Sequence, residues 1–216
     1  MPRAIALAHP EFSPNAAAAA AKVCPEIRDR IRRSGKKSVH EYTLGEEIFN
    51  AVTHGVGAGL AVAALVLLIV KSVGDGGGIL LAAALVYGIA LLLEYLMSTL
   101  YHALATDAAK RVFKVLDHSG IYLLIAGTYT PYCLITLGHV GGLWLAAFVW
   151  AVALIGIACE AFWTYRPRWI SAVLYVTLGW SIAFFLPTLY AQLHPVGFWL
   201  LAAGGISYTV GAVFYI

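Results

Sequence analysis

The chain has 216 residues, of which 61% are hydrophobic and only 12% are charged. Soluble domains are about half apolar and about a quarter charged, so this composition excludes water as the main solvent of the chain. The formal net charge of +3 is unevenly distributed, because eight of the fourteen Lys and Arg residues lie within the first 37 positions. No aromatic residue is interleaved with the seven cations between Lys22 and Lys37, so they indicate orientation beside a membrane, and no nucleic-acid binding is expected.

Residues 1–43 are predicted to form a cytoplasmic N-terminal leader. The segment is polar, contains four prolines and ends in a charged stretch at 28–33, where a short surface helix is expected. Its run of alanines, Ala16–Ala21, is short and precedes the basic residues, so a cleaved signal peptide is not expected. The three cysteines have no metal-like spacing and support no disulfide framework.

Six apolar runs follow the leader, and each is close to the twenty residues that a helix needs to cross a bilayer. Because a helix satisfies its own backbone hydrogen bonds in lipid, the runs predict an all-α polytopic membrane bundle with six transmembrane helices. The second and fourth connections are basic and the third and fifth are not, which places the leader and the basic connections in the cytoplasm. The predicted spans are Ile48–Val70, Ile79–Tyr101, Val115–Leu137, Leu143–Tyr165, Trp169–Tyr190 and Val196–Ile216.

Polar side chains form two stripes on the first two predicted spans. Each stripe has three members spaced four residues apart, so its members share one face of a helix. The topology places both stripes near the same cytoplasmic boundary as Asp117 of the third span. Since ionisable groups inside a membrane are costly and usually face the bundle interior, a shared polar pocket is predicted. The first stripe is Glu46, Asn50 and His54, and the second is Glu94, Ser98 and His102.

Each of these residues also has a purely structural interpretation, and the sequence leaves both readings open. Carboxylates favour helix N-termini, and a serine inside a helix can bond to a backbone carbonyl. The structural alternatives are an interfacial position for His102 and for His118, a helix cap for Asp117, a backbone bond for Ser98, an interhelical bond between His54 and Asn50, and an ion pair with Arg166 or Arg168 for Glu160.

The chemistry of the second stripe points to a metal. Neutral imidazole is the commonest zinc ligand, and a catalytic zinc ion needs about three protein ligands and an open position for water. His102 is therefore a candidate metal ligand, and Asp117 is a candidate carboxylate for orienting the ligand or the bound water. Together they supply one ligand and one orienting group, which is less than a complete site.

Three motifs resemble the haemolysin III group, which belongs with the progestin and adipoQ receptors and, more distantly, with the alkaline ceramidases. The resemblance covers about residues 43–216. The motifs are Glu46-Glu47-x-x-Asn50-x-x-Thr53-His54-x-x-Gly57, then Ser98-Thr99-Leu100-Tyr101-His102, then Leu116-Asp117-His118-Ser119-Gly120-Ile121-Tyr122-x-x-Ile125-Ala126-Gly127-Thr128-Tyr129-Thr130-Pro131.

The resemblance implies a seven-helix architecture with a zinc site near the cytoplasmic side. In that architecture one histidine of the second helix and two histidines of a final His-x-x-x-His helix hold the metal. Carried over to this chain, His102 is the metal ligand, and Ser98 and Asp117 are catalytic residues that shape the metal-bound water. Six of the seven helices are recognised, so the C-terminal helix and its two zinc ligands are expected to be missing from residues 44–216.

The leading functional hypothesis is a zinc-dependent lipid amide hydrolase of the cell membrane with a ceramide-like substrate. Two alternatives of different kinds remain open at this point. One is a membrane-perturbing cytolysin, which needs no catalytic metal, and the other is a receptor-like protein that senses membrane lipids without turnover. The sequence gives no oligomeric state.

Overall fold

The computed structural model describes residues 42–163 and 167–215, and all regular secondary structure within these ranges is helical. This confirms the prediction of an all-α polytopic membrane bundle. The predicted surface helix at 28–33 lies outside the described residues. The elements are α1 (Leu44–Gly74), α2 (Ile79–Ala103), α3 (Asp107–Pro131) with a π-helical turn (Tyr132–Thr136), α4 (Gly142–Phe162), α5 (Arg168–Trp180) with a 3-10 turn (Ser181–Phe185), α6 (Leu186–Gln192) and α7 (Pro195–Tyr215).

Five stretches in the described part of the chain are long and apolar enough to cross a membrane. They are α1, α2, α4, the continuous stretch Arg168–Gln192 and α7. The helix α3 is not among them, because its first half is rich in charged residues. It also starts eight residues before the predicted span Val115–Leu137 and ends as an α-helix at Pro131. A sixth crossing therefore stays a prediction.

The start of α1 is fixed by a capping box between Thr43 and Glu46. The backbone N–H of Thr43 donates to Oε2 of Glu46 at 2.7 Å, and the backbone N–H of Glu46 lies 3.4 Å from Oγ1 of Thr43. This exchange satisfies two N–H groups that the first helical turn leaves unpaired. Glu46 is exposed at the helix start, so it does not take the inward position that the polar stripe assigned to it.

The hydrophobic core lies between α3, α4 and the stretch Arg168–Gln192. Tyr122, Val149 and Leu189 are completely buried there. On the other side of α3, the helix α2 packs between α1 and α3. The last helix, α7, packs mainly against α5 and has no buried residue between Pro195 and Tyr215. Its apolar side chains therefore require lipid or another apolar surface around them.

The stretch Arg168–Gln192 is irregular in its middle, where a 3-10 turn precedes Pro187. Proline has no N–H to donate, so the regular helical hydrogen-bond ladder cannot pass through it. The Tyr129 hydroxyl bonds to the backbone at the start of this turn: it accepts the Ile182 N–H at 2.9 Å and donates to the Gly179 carbonyl at 2.5 Å. A side chain of α3 thus satisfies backbone groups that lipid could not.

Replacing Tyr129 with phenylalanine should destabilise the bundle by about 1–3 kcal/mol, because it leaves the Ile182 N–H without its buried partner. Thermal unfolding in detergent, followed by circular dichroism, measures the effect. Tyr190→Phe is the matched control, since Tyr190 is 67% exposed and loses the same hydroxyl. Equal melting temperatures for the two variants would contradict the role assigned to Tyr129.

Candidate functional site

Polar side chains of α1, α2 and α3 meet at one end of the bundle. Glu47 lies in the first turn of α1, His102 in the last turn of α2 and Lys110 in the first turns of α3. These three positions come together because α2 returns toward the start of α1 and a short connection leads directly into α3. All three residues are buried, with exposed fractions of 7%, 9% and 1%.

The three residues form a connected network. Nδ1 of His102 lies 2.7 Å from Oε2 of Glu47. The Lys110 ammonium donates to the other oxygen of Glu47, Oε1, and to the backbone carbonyl of Tyr101 at 3.2 Å. One carboxylate therefore ties together a histidine of α2 and a lysine of α3. Since the groups are buried, their attraction is weakened by solvent much less than that of a surface pair.

A second polar pair lies beside this network. A 2.5 Å hydrogen bond joins Nδ1 of His54 in α1 to Oγ of Ser98 in α2. The rings of His54 and His102 are 6.0 Å apart between centroids and meet edge to face. The structure thus brings the predicted residues Ser98 and His102 to the same end of the bundle, but the partner of Ser98 is His54.

Asp117 of α3 belongs to the same region. Its carboxylate interacts electrostatically with the His54 imidazole and with the Glu94 carboxyl group. The carboxylate in contact with His102 is Glu47, so Asp117 does not take the orienting position on His102 that the sequence suggested. The predicted catalytic role of Asp117 does not depend on a contact with His102 and stays a prediction.

Glu94 faces α3 at a point where the two helices are very close. Its Oε2 atom is buried and has no hydrogen-bond partner among the described residues. A Cβ atom added at Gly120 would overlap that oxygen. Glycine at position 120 therefore makes room for the carboxyl group between α2 and α3.

A separate polar cluster on the other side of α3 surrounds Glu160 of α4, which is 1% exposed. The Tyr175 hydroxyl lies within hydrogen-bonding distance of Oε1 of Glu160, at 3.2 Å, and of the His118 carbonyl, at 3.0 Å. The His118 ring lies 3.6 Å from the other oxygen of Glu160. Asp117 and His118 thus face different helices, as their separation of about 100° around the axis predicts.

The sequence offered Arg166 and Arg168 as ion-pair partners for Glu160. Arg168 lies over the ring of Tyr215, 5.9 Å from its centroid, and Arg166 is outside the described residues.

Sequence reasoning missed Glu47 and Lys110 as members of the site, although two signals were present for Glu47. The pattern Thr43-x-x-Glu46 is that of a capping box, which engages Glu46 at the helix start. Glu47 and His54 are seven residues apart and therefore lie on one helix face. For Lys110 the sequence gave no sign of burial, because a basic residue in a connection between spans is expected only to orient the chain in the membrane.

The described residues do not make up a zinc site. No group of three or more His, Cys, Asp and Glu side chains among them could hold a metal ion. His102 and His54 place two imidazoles at the polar end of the bundle, whereas a catalytic zinc ion takes about three protein ligands. No chemical step through zinc is therefore assigned to these residues.

A bundle of long apolar helices that buries an ion-paired polar network at one end defines a polytopic α-helical membrane protein. Residues 42–216 match the protein family described as "Haemolysin-III related". The chain belongs to the haemolysin III family.

Two relatives from bacilli show the same relationship. The chain is 45% identical over 171 residues to "Hemolysin-3" of Bacillus cereus, which covers 79% of this chain and 78% of that protein. It is 42% identical over 175 residues to "Hemolysin-3 homolog" of Bacillus subtilis (strain 168), covering 81% of this chain and 82% of that protein. The similarity includes the helices that carry the polar network.

Proposed function

We propose that the polar end of α1, α2 and α3 is the active site of a lipid amide hydrolase that works on a ceramide-like membrane lipid. The observation that carries the proposal is the convergence of His54, Ser98 and His102 at one end of helices that are otherwise apolar. Polar groups placed in this way inside a membrane are costly, and functional sites are where such a cost is usually retained.

The proposal gives each predicted residue a role. His102 would contribute one ligand to a zinc ion, which would supply an activated water when bound, and Ser98 and Asp117 would position the polar part of the lipid. The ligand set is incomplete within the described residues, so support for zinc comes from the family resemblance and not from the geometry. We further propose that the chain is a multi-pass protein of the cell membrane, with its leader and this site on the cytoplasmic side.

Lipids can reach the bundle from its sides. Large apolar side chains are exposed around it, including Phe162 at 91%, Phe184 at 88% and Phe214 at 86%. A membrane surrounds such side chains, so membrane lipids are the natural partners of this surface. A lipid amide would then approach the polar end laterally, with its acyl chains remaining in the hydrocarbon region.

The proposal is tested with the purified protein in lipid nanodiscs and a ceramide-like substrate, with the products measured by liquid chromatography and mass spectrometry. Release of fatty acid is expected, and His102→Ala and Asp117→Ala should each lower the rate by about 100-fold or more, a loss comparable to that of removing a general acid or base. His139→Ala is the control, because His139 is exposed in the connection after α3. Metal content is measured on the same samples.

A second candidate function is supported by the names of the two relatives, which call those proteins hemolysins. A cytolysin would release dye from vesicles or lyse erythrocytes without turning over a lipid. Lysis that survives both His102→Ala and Asp117→Ala, with no fatty acid released, would replace the hydrolase proposal with this one. Lipid binding without turnover or lysis would indicate a sensor.

A further inference from the structure

The charge state of Glu47 decides which nitrogen of His102 carries a proton. The Lys110 ammonium donates to Oε1 of Glu47, and a lysine ammonium has only donors. An ionised carboxylate has only acceptors. Because Glu47 faces a buried ammonium, its stable form in this network is the carboxylate, and its second oxygen must also accept.

The atom that faces this second oxygen is Nδ1 of His102, at 2.7 Å. Two acceptors at that distance would repel each other, so Nδ1 must carry the proton and donate to Oε2 of Glu47. The Lys110 ammonium already balances the single negative charge of Glu47. A second positive charge on the imidazole would be buried without a partner of its own, which is costly.

The position of the ring is constrained on further sides. The ring of Tyr101 lies 4.8 Å from that of His102 between centroids, and the ring of Tyr42 lies 5.3 Å away. The Lys110 ammonium lies over the Tyr101 ring, 5.0 Å from its centroid, and donates a hydrogen bond to the Tyr101 carbonyl. The ring of His102 therefore has little freedom to turn away from Glu47.

We propose that the buried Glu47–Lys110 pair is a positioning device, which fixes the neutral His102 imidazole with its proton on Nδ1 and leaves the lone pair on Nε2. Glu47 and Lys110 act through His102 and touch no substrate in this scheme. The functional meaning rests on the proposed function, since a histidine that serves as a ligand must offer a lone pair. The tautomer itself follows from the network alone.

The test is nitrogen NMR of the full chain in detergent, with histidine labelled with nitrogen-15 and all metal removed by chelator. The His102 signals are assigned by their absence in His102→Gln. The expected result is a neutral imidazole with the proton on Nδ1. A wild-type His102 with its proton on Nε2, or with protons on both nitrogens, would overturn the proposal.

Glu47→Leu combined with Lys110→Met removes the device without leaving a buried charge. We expect the predominant His102 tautomer to change from Nδ1–H to Nε2–H, the form that free histidine side chains prefer in water. The control is Lys71→Met combined with Asp75→Leu, which removes an exposed ion pair of 2.7 Å and should leave the His102 signals unchanged. An unchanged Nδ1–H tautomer in the Glu47 and Lys110 double variant would also overturn the proposal.

Two features keep this test decisive. If the double variant does not fold, as judged by circular dichroism and size-exclusion chromatography, the wild-type spectrum alone gives the answer. If the protein neither binds zinc nor hydrolyses a lipid amide, the proposed function fails while the tautomer result stands. A wrong tautomer together with metal-dependent hydrolysis would refute the positioning role and leave the proposed function intact.

Discussion

Lys110→Met should lower the free energy of unfolding by about 3–5 kcal/mol, the cost of breaking a buried ion pair by removing one partner. The loss of the ammonium leaves the Glu47 carboxylate buried at 7% exposure without its cation. Methionine is close to lysine in length and apolar, so packing along the side chain is largely kept. Chemical unfolding in mixed micelles, followed by tryptophan fluorescence, measures the change.

The matched comparison separates charge from packing. Glu47→Leu added to Lys110→Met should recover most of the stability, because well-packed apolar residues often replace a buried ion pair at no net cost. Lys71→Met is the surface control, with a predicted loss of about 0–1 kcal/mol. Its ion pair with Asp75 has side chains that are 76% and 52% exposed. A Lys110→Met variant as stable as Lys71→Met would show that the Glu47–Lys110 pair does not hold the helices together.

Gly156→Ala should destabilise the bundle by about 1–3 kcal/mol, although alanine is the better helix former by about 1 kcal/mol. A Cβ at position 156 of α4 would overlap the ring of Tyr122 in α3. Tyr122 is completely buried in the core, so its ring cannot move into open space. The steric cost therefore exceeds the gain in helix propensity.

Gly205→Ala in α7 is the control for this substitution. A Cβ there meets no atom within 4 Å, so only the helix propensity changes and stability should stay equal or rise. Thermal unfolding of the two variants under identical detergent conditions makes the comparison. A Gly156→Ala variant that melts at or above the wild-type temperature would mean that α3 and α4 do not pack as described.

Much of the fold was predictable because the solvent determines it. Long apolar runs separated by short polar connections have one economical solution in lipid, and the all-α bundle follows from backbone hydrogen bonding alone. The boundaries were less predictable. Helix α1 extends from Leu44 to Gly74 because its capping box and its last turn lie outside the apolar run that marked the span. The charged first half of α3 was likewise assigned to a connection.

The candidate site was predictable in its location but not in its pairings. Spacings of four placed Ser98 and His102 on one face of α2, and the structure shows both buried at the polar end of the bundle. Which carboxylate meets His102 depends on how α1 is rotated against α2. The capping box holds Glu46 at the exposed start of α1 and leaves Glu47 facing inward. A rotation of α1 by one residue therefore decides which carboxylate meets His102.

The sequence by itself determined that lipid is the main solvent of this protein, that its fold is all-α, which family it belongs to and at which end of the bundle its polar residues lie. These properties follow from composition, periodicity and motifs, which are local. Only the tertiary structure decided that Lys110 is buried, that Glu47 joins it to His102 and that Ser98 is bonded to His54. Each of these contacts joins residues at least 44 positions apart, so it depends on how packed helices are rotated and not on any spacing within one of them.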